Sequence, residues 1–324
     1  MPATNEQVRN GKAFEYAIAY SYASFLQQKG LIVSLVENDP CAQARGYFDS
    51  FDDNSKAQFL GAAQASIVTL VNLEPGLTNG RYGNDCLYIA LQSDAQGMRG
   101  DVRDIVFYRL NKWLTPYWQI GISAKNNHEA VKHSRLSGNN DFAYEWVGVH
   151  CSDYYMNSIA PIFTYLSSLR QRGTLWDDVP NKNTTIYVPV LQAFMSELTA
   201  INQVHENIPS KLIQYLIGNE SFYKVIKDDD SNLVVVKAFN MRNELNKTIG
   251  VRPRFRTSNV KLPTRIVDFR FKEGSETTVN MILDEGWELS FRIHSAKSTV
   301  EASLKFDIQL KGTPSNLFTQ YLFR

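Results

Sequence analysis

The chain has 324 residues, with 34 lysines and arginines against 33 aspartates and glutamates. Its net charge is therefore near zero, which excludes global attraction to a polyanion and makes any basic surface local. Apolar residues at 44% and charged residues at 21% exclude a disordered or fibrous chain and allow one large core or two smaller ones. Cys41, Cys86 and Cys151 are odd in number and far apart, so neither a disulfide framework nor a cysteine zinc site is expected, and a reducing compartment fits. The polar start M-P-A-T-N-E-Q-V has no signal core, and no run approaches 18 apolar residues. The expectation is a cytoplasmic protein without a membrane span.

Residues 4–29 are expected to form a helix. Thr4 and Gln7 fit a capping box, and Val8, Phe14, Ala17, Ile18, Tyr22, Phe25 and Leu26 recur near helical spacing before Gly30. Glu15 lies inside this stretch and reads as the edge of a polar face. Residues 31–36 suit a strand or a second helix, 55–72 a helix with small residues for close packing, and 74–85 a loop. Three strands with short connections follow at 86–91, 104–109 and 118–125, which suggests an antiparallel meander. Helices are expected at 128–136, 153–173, 191–203 and 209–217. Residues 222–226 and 233–239 flank an acidic turn and read as a hairpin, and its three aspartates are better explained by solvation than by metal binding. Beyond residue 260 the alternation in R-I-V-D-F-R-F, T-V-N-M-I-L, W-E-L-S-F-R-I and L-K-F-D-I-Q-L is that of strands. A soft boundary near residue 220 divides an α/β (α+β) part, 1–220, from a β-rich part, 221–324.

The stretch 100–136 carries the chemistry. Asp104 opens one strand, Lys125 closes the next, and a basic segment follows. Gln119, Gly121, Ser123 and Lys125 alternate onto one face, so pairing of the two strands would bring Asp104 and Lys125 together. A phosphodiester repels an attacking hydroxide, and a divalent cation offsets that repulsion. Mg²⁺ prefers carboxylate, carbonyl and water oxygens. Asp104 would supply a carboxylate, the backbone of Ala124 a carbonyl, and Lys125 would hold the attacking water or stabilise transition-state charge. This is the logic of the PD-(D/E)xK nuclease core, a mixed β-sheet flanked by helices. The spacing alone fits a structural Asp104–Lys125 salt bridge as well. The position that is usually acidic is Ser123. A further carboxylate would come from elsewhere: Glu15, Asp101, Glu129 and Asp141 are candidates, and spacing does not choose among them.

The run S-A-K-N-N-H-E-A-V-K-H-S-R-L-S, with G-D-V-R-D-I before it, resembles the HaeIII-type restriction endonucleases. G-K-A-F-E-Y-A, D-F-A-Y-E-W, P-I-F, N-I-P-S-K and F-Y-K-V-I are similar to the same family, so the resemblance spans most of residues 10–250, and G-W-E-L-S-F-R-I-H-S-A extends it. It implies a Mg²⁺-dependent type II endonuclease that cuts double-stranded DNA at a short palindrome, GGCC with blunt ends, as a homodimer paired with a cognate methyltransferase in a prokaryotic cytoplasm. It places Asp104, Ser123 and Lys125 at the D…(D/E/S)xK positions and Glu15 at the N-terminal helix glutamate. From both readings the candidate metal ligands are Asp104, Ala124, Glu15 and Asp141.

Candidate DNA contacts are Asn126, Asn127, Lys132, His133 and Arg135, close after Lys125, although the two asparagines could instead form a turn. A second cluster, 242–272, holds nine basic residues against Glu244 and Asp268, an excess of seven charges. In R-P-R-F-R, an extended chain would place Arg252, Arg254 and Arg256 on one face for phosphate contacts. A non-catalytic DNA-binding protein and an unrelated enzyme with a structural Asp104–Lys125 pair are the competing readings.

Overall fold

The computed structural model describes residues 5–82, 85–93, 101–127, 131 and 134–324. They fall into two units, the first drawn from stretches 3–128, 219–260 and 316–324, the second from 129–218 and 261–315. In chain order the first unit opens with α1 (Asn5–Gln28), β1 (Val33–Leu35), α2 (Asp39–Asp49), α3 (Asp53–Leu73), β2 (Leu87–Leu91), β3 (Ile105–Leu110) and β4 (Pro116–Asn126). The second unit begins with β5 (Arg135–Ser137), α4 (Phe142–Val147), α5 (Asp153–Gln171), α6 (Val188–Val204) and α7 (Ile208–Ile217). The chain returns to the first unit for β6 (Phe222–Asp228) and β7 (Leu233–Phe239). It adds β8 (Ile266–Phe271), β9 (Thr278–Leu283), β10 (Glu288–His294) and β11 (Ser303–Gly312) to the second, and finishes with β12 (Phe318–Phe323) in the first. One passage between units falls beside the boundary expected near residue 220, but the strands beyond it divide between both units.

In the first unit the helices start where the sequence supplies caps. The Asn38 side chain accepts the Cys41 N–H at 2.9 Å and Pro40 occupies the first turn of α2. Asp52 accepts the Ser55 N–H at 2.8 Å at the start of α3. The Thr4 half of the expected cap on α1 lies outside the described residues. The sheet runs β1-β2-β3-β4-β6-β7-β12. β2, β3 and β4 form the expected antiparallel meander, while β1 lies parallel to β2 and β6 parallel to β4. Phe14, Ile18, Tyr22, Leu70, Phe107, Ile120, Ile122, Val225 and Val236 form the buried core between helices and sheet. Each fully buried large apolar side chain contributes about 1.5–3 kcal/mol.

In the second unit an antiparallel sheet runs β5-β11-β10-β9-β8. Its core is aromatic: Phe142, Trp146, Phe194, Phe291 and Phe306 interlock, with Phe194 and Phe306 centroids 5.0 Å apart. The helix expected over 128–136 does not form over its described C-terminal end. Arg135–Ser137 is the edge strand β5, in register with Lys305, Leu304 and Ser303. Leu136 is fully buried, and this pairing outweighs the weak helical preference of so short a segment. Residues 128–130, 132 and 133 lie outside the described residues.

Candidate active site

Strand register builds the first half of the site. Ile105 pairs with Ile122, so Asp104, one residue earlier, stands opposite Ser123. Its backbone is fixed on both sides: the Asp104 N–H donates to the Ile122 carbonyl at 2.8 Å and its carbonyl accepts the Gln92 N–H at 2.9 Å. Three donors from β4 then converge on one carboxylate oxygen. Asp104 Oδ2 accepts the Ala124 N–H at 2.7 Å, Ser123 Oγ at 3.2 Å and Lys125 Nζ at 3.2 Å. Oδ1 has no hydrogen-bond partner among the described residues. Both side chains are partly open, Lys125 at 26% and Asp104 at 22% exposure. An ion pair this accessible stabilises the fold by no more than about 1 kcal/mol, so stability alone gives little reason for the arrangement.

Helix α1 brings the second carboxylate. Glu15 is only 7% exposed and sits within the buried run Ala13–Ala19. It is not the edge of a polar face, because the helix is covered on this side by the sheet and its neighbours. Burial pushes its carboxyl up to about 8, and the negative charge of Asp104 pushes in the same direction. The nearby Lys12 and Lys125 ammonium groups oppose that rise, with Lys12 Nζ 3.1 Å from Glu15 Oε2. Glu15 therefore feels the charges of Asp104, Lys12 and Lys125, and all four residues belong to the first unit. Lys12 was missed in the sequence, although its i,i+3 spacing to Glu15 was an available signal.

The donor set fits a hard divalent cation. A carboxylate with an unoccupied oxygen, beside a buried second one whose proton affinity it raises, is a pair that positive charge would stabilise. Among the described residues no group of three His, Cys, Asp or Glu side chains forms a ready-made metal cluster. A cation here would rest on Asp104 and Glu15, with a backbone carbonyl such as that of Ala124 as the remaining protein donor.

The other sequence candidates have different surroundings. Asp141 caps α4: its Oδ1 accepts the Tyr144 and Cys151 N–H groups at 3.0 Å each, and its Oδ2 lies 2.7 Å from His150 Nδ1. These donors hold its carboxyl down at about 2 against the opposing effect of burial. Asn126 Oδ1 accepts from Lys227 Nζ at 3.2 Å. Asn127, at positive φ, exchanges two hydrogen bonds with Asp229, both at 2.8 Å. Arg135 bonds Ser303 Oγ at 2.8 Å. Lys132 and His133 lie outside the described residues. Arg252, Arg254 and Arg256 are exposed and have no ion pair among the described residues, and they occupy a loop, so the condition of an extended strand that would put them on one face is not met. That loop is pinned from below. Asn72 accepts the Arg254 N–H at 2.9 Å. Asn246 Nδ2 donates to the Leu73 and Phe255 carbonyls at 2.7 and 2.9 Å.

A seven-stranded mixed sheet packed with helices in one unit, and a five-stranded antiparallel sheet with helices in the other, define a protein of the restriction-endonuclease-like α+β class. A family model described as HaeIII restriction endonuclease matches residues 11–314. The chain is 36% identical over 322 residues to the type II restriction enzyme HaeIII of Haemophilus aegyptius, with 97% of each chain covered. No solved structure matches it. The chain belongs to the HaeIII restriction endonuclease family. It is a type II restriction enzyme, a site-specific deoxyribonuclease acting on DNA.

Proposed function

We propose that the protein hydrolyses both strands of DNA at GGCC, cutting in the middle to leave blunt ends with 5′-phosphate and 3′-hydroxyl termini, and that it requires Mg²⁺. The observation that carries this reading is the meeting of Glu15, Asp104 and Lys125. Bound by Asp104, Glu15 and the Ala124 carbonyl, Mg²⁺ would supply Lewis-acid charge against the phosphate and lower the pKa of a water molecule. The chain's own residues do the rest. Asp104 Oδ2 holds the Lys125 ammonium at 3.2 Å. Lys125 Nζ retains further N–H donors to orient the attacking water or to offset negative charge growing on the phosphoryl oxygens. Ser123, where an acid is usual, donates to Asp104 and fixes its rotamer.

The exposed Arg252, Arg254 and Arg256 would contact phosphates, as would Arg135 at the second unit's sheet edge. In this reading the first unit carries catalysis. Asn126 and Asn127 hold the end of β4 through Lys227 and Asp229, and reach DNA only if those bonds open. A palindromic target implies a symmetric homodimer, each subunit cutting one strand. A cognate methyltransferase would protect the host's own sites in a prokaryotic cytoplasm. No helix among the described residues is long and apolar enough to cross a membrane.

The test is digestion of unmethylated plasmid with Mg²⁺ and with EDTA, followed by sequencing of the ends. Discrete fragments that need Mg²⁺ and begin with CC are expected. Intact plasmid that only shifts in a gel would support a DNA-binding protein without catalysis, and ends at another sequence would overturn GGCC.

A further inference from the structure

Side chains two apart along a strand share a side. On the face of β4 that carries Lys125 and Ser123, the next positions are Gly121, Gln119 and Tyr117. A groove of about 880 Å³ opens along that row, lined by Tyr117, Gln119, Arg81, Arg103 and Lys247, with Glu244 as its acidic lining residue. All of these residues belong to the first unit.

Arg103 joins the groove to the row of catalytic residues. A Cβ at position 121 would lie 2.0 Å from Arg103 Cδ and 2.4 Å from Cγ, so only glycine lets the arginine stem cross β4 here. The guanidinium is aimed by Asp101: Nε donates to Oδ1 and Nη2 to Oδ2, both at 2.7 Å. Gln92 Nε2 in turn donates to Asp101 Oδ2 at 3.2 Å. Asp101, a candidate metal carboxylate in the sequence, is thus committed to orienting an arginine. A guanidinium has five N–H donors. Asp101 takes two, and the other three have no partner among the described residues. Arg81 and Lys247 are exposed and have no ion pair among the described residues.

We propose that this groove is a phosphate subsite for the strand being cut, in which Arg103, Lys247 and Arg81 hold a phosphodiester displaced from the scissile one. The proposal rests on the nuclease reading of Asp104 and Lys125. From Ser123 to Gln119 is four strand residues, about 13 Å at roughly 3.3 Å per residue. The axial rise is about 3.4 Å per nucleotide and the winding backbone steps further than that, so this distance spans roughly two to four nucleotides. A forked guanidinium matches two phosphate oxygens, and two unpaired cations beside it add charge without selecting a base. The subsite therefore fixes the register of the backbone over Asp104 and leaves sequence reading to other surfaces.

The test uses the full chain, EDTA and a mixed-sequence duplex, with affinity measured by fluorescence anisotropy across a salt series. Lys247→Ala and Arg81→Ala, both surface changes, are each expected to lower the slope of log affinity against log salt by about one. Arg103→Lys keeps a stem over Gly121 but loses the fork, and is expected to weaken binding and slow plasmid cutting in Mg²⁺. A duplex with one uncharged methylphosphonate, scanned roughly two to four nucleotides from the cut mapped with the wild type, should bind wild type more weakly than the unmodified duplex at one position, and this penalty should be smaller for Lys247→Ala. Unchanged salt slopes in Lys247→Ala and Arg81→Ala, with a wild type that cuts normally, overturn the subsite alone. A wild type that neither cuts plasmid nor binds the duplex overturns the nuclease reading and the subsite with it.

Discussion

Lys125 is held before any substrate arrives. Its ammonium donates to the same Asp104 oxygen that already receives the Ala124 N–H and Ser123 Oγ, and Oδ1 has no hydrogen-bond partner among the described residues. Removing the ammonium should therefore remove charge stabilisation while leaving the carboxylate aimed. Lys125→Ala is expected to lower the rate of plasmid cutting at least about 100-fold, the scale of losing one transition-state donor. Its affinity for duplex DNA should stay close to that of the wild type. Cutting at the normal rate by this variant would remove Lys125 from the mechanism. Asp104 and Lys125 were legible because alternation along two adjacent strands puts them at one sheet end. The i,i+3 spacing of Lys12 to Glu15 was legible too, but not its weight, because that depends on the burial of Glu15, which a single helix does not decide. The commitment of Asp141 to a helix cap was equally hidden, since one of its donors, the Cys151 N–H, lies ten residues away.

Between elements, buried polar groups do the joining. Glu74 follows the end of α3 and is fully buried, with Oε1 accepting Tyr223 OH from β6 and the Asn246 N–H, both at 2.6 Å. Asn246 then holds the loop that bears Arg254. Burial raises the Glu74 carboxyl from 4.5 to about 7, against the pull of these two donors. A carboxyl whose folded pKa is raised favours the folded state fully below its unfolded value near 4.5, and that contribution is lost as pH rises through about 7. A shift of this size corresponds to roughly 3 kcal/mol. Denaturant unfolding at about pH 5 and about pH 8 should show the wild type losing stability over that interval. Glu74→Gln should lose less, and an equal loss in both would rule Glu74 out as the titrating group. Arg109 is the second such joint. It is 2% exposed, and its guanidinium bonds the Gly76, Leu77 and Asp85 carbonyls and the Asp85 carboxylate. Arg109→Ala strands Asp85 and three carbonyls, and should cost about 3–5 kcal/mol, read as a lower melting temperature. An unchanged melting temperature would count against this network. The strand that holds Arg109 was legible from its β-branched and aromatic residues. The inward turn of a charged residue was not, because its partners lie 24–33 residues earlier in the chain, in the 3-10 turn Pro75–Leu77 and at Asp85.

At the scale of the whole chain, sequence order and spatial order part company. The β-rich character beyond residue 260 was legible from alternation, but alternation does not say which sheet a strand joins. β8 to β11 build the second unit's sheet, whereas β12 returns to the first and pairs with β7 from Phe318 opposite Ala238 to Phe323 opposite Leu233. Such assignment depends on long-range register, which local patterns do not encode. The return of β12 has two physical consequences. It covers β7, whose L-V-V-V-K-A-F edge would otherwise offer unpaired backbone groups to another chain. It also places Arg324 against Asp229, 2.9 Å from Nη1 to Oδ1, while Asp229 clamps Asn127 two residues beyond Lys125. Removing residues 316–324 is therefore expected to lower the melting temperature, to promote concentration-dependent aggregation through β7, and to slow cutting by loosening the end of β4. Light scattering and thermal melting read the first two effects, and plasmid digestion the third. If the shortened chain stays monodisperse and melts as the full chain does, β12 is not what protects the edge. If it aggregates yet its soluble fraction cuts at the full rate, the Arg324–Asp229–Asn127 chain of contacts supports the fold without reaching Lys125.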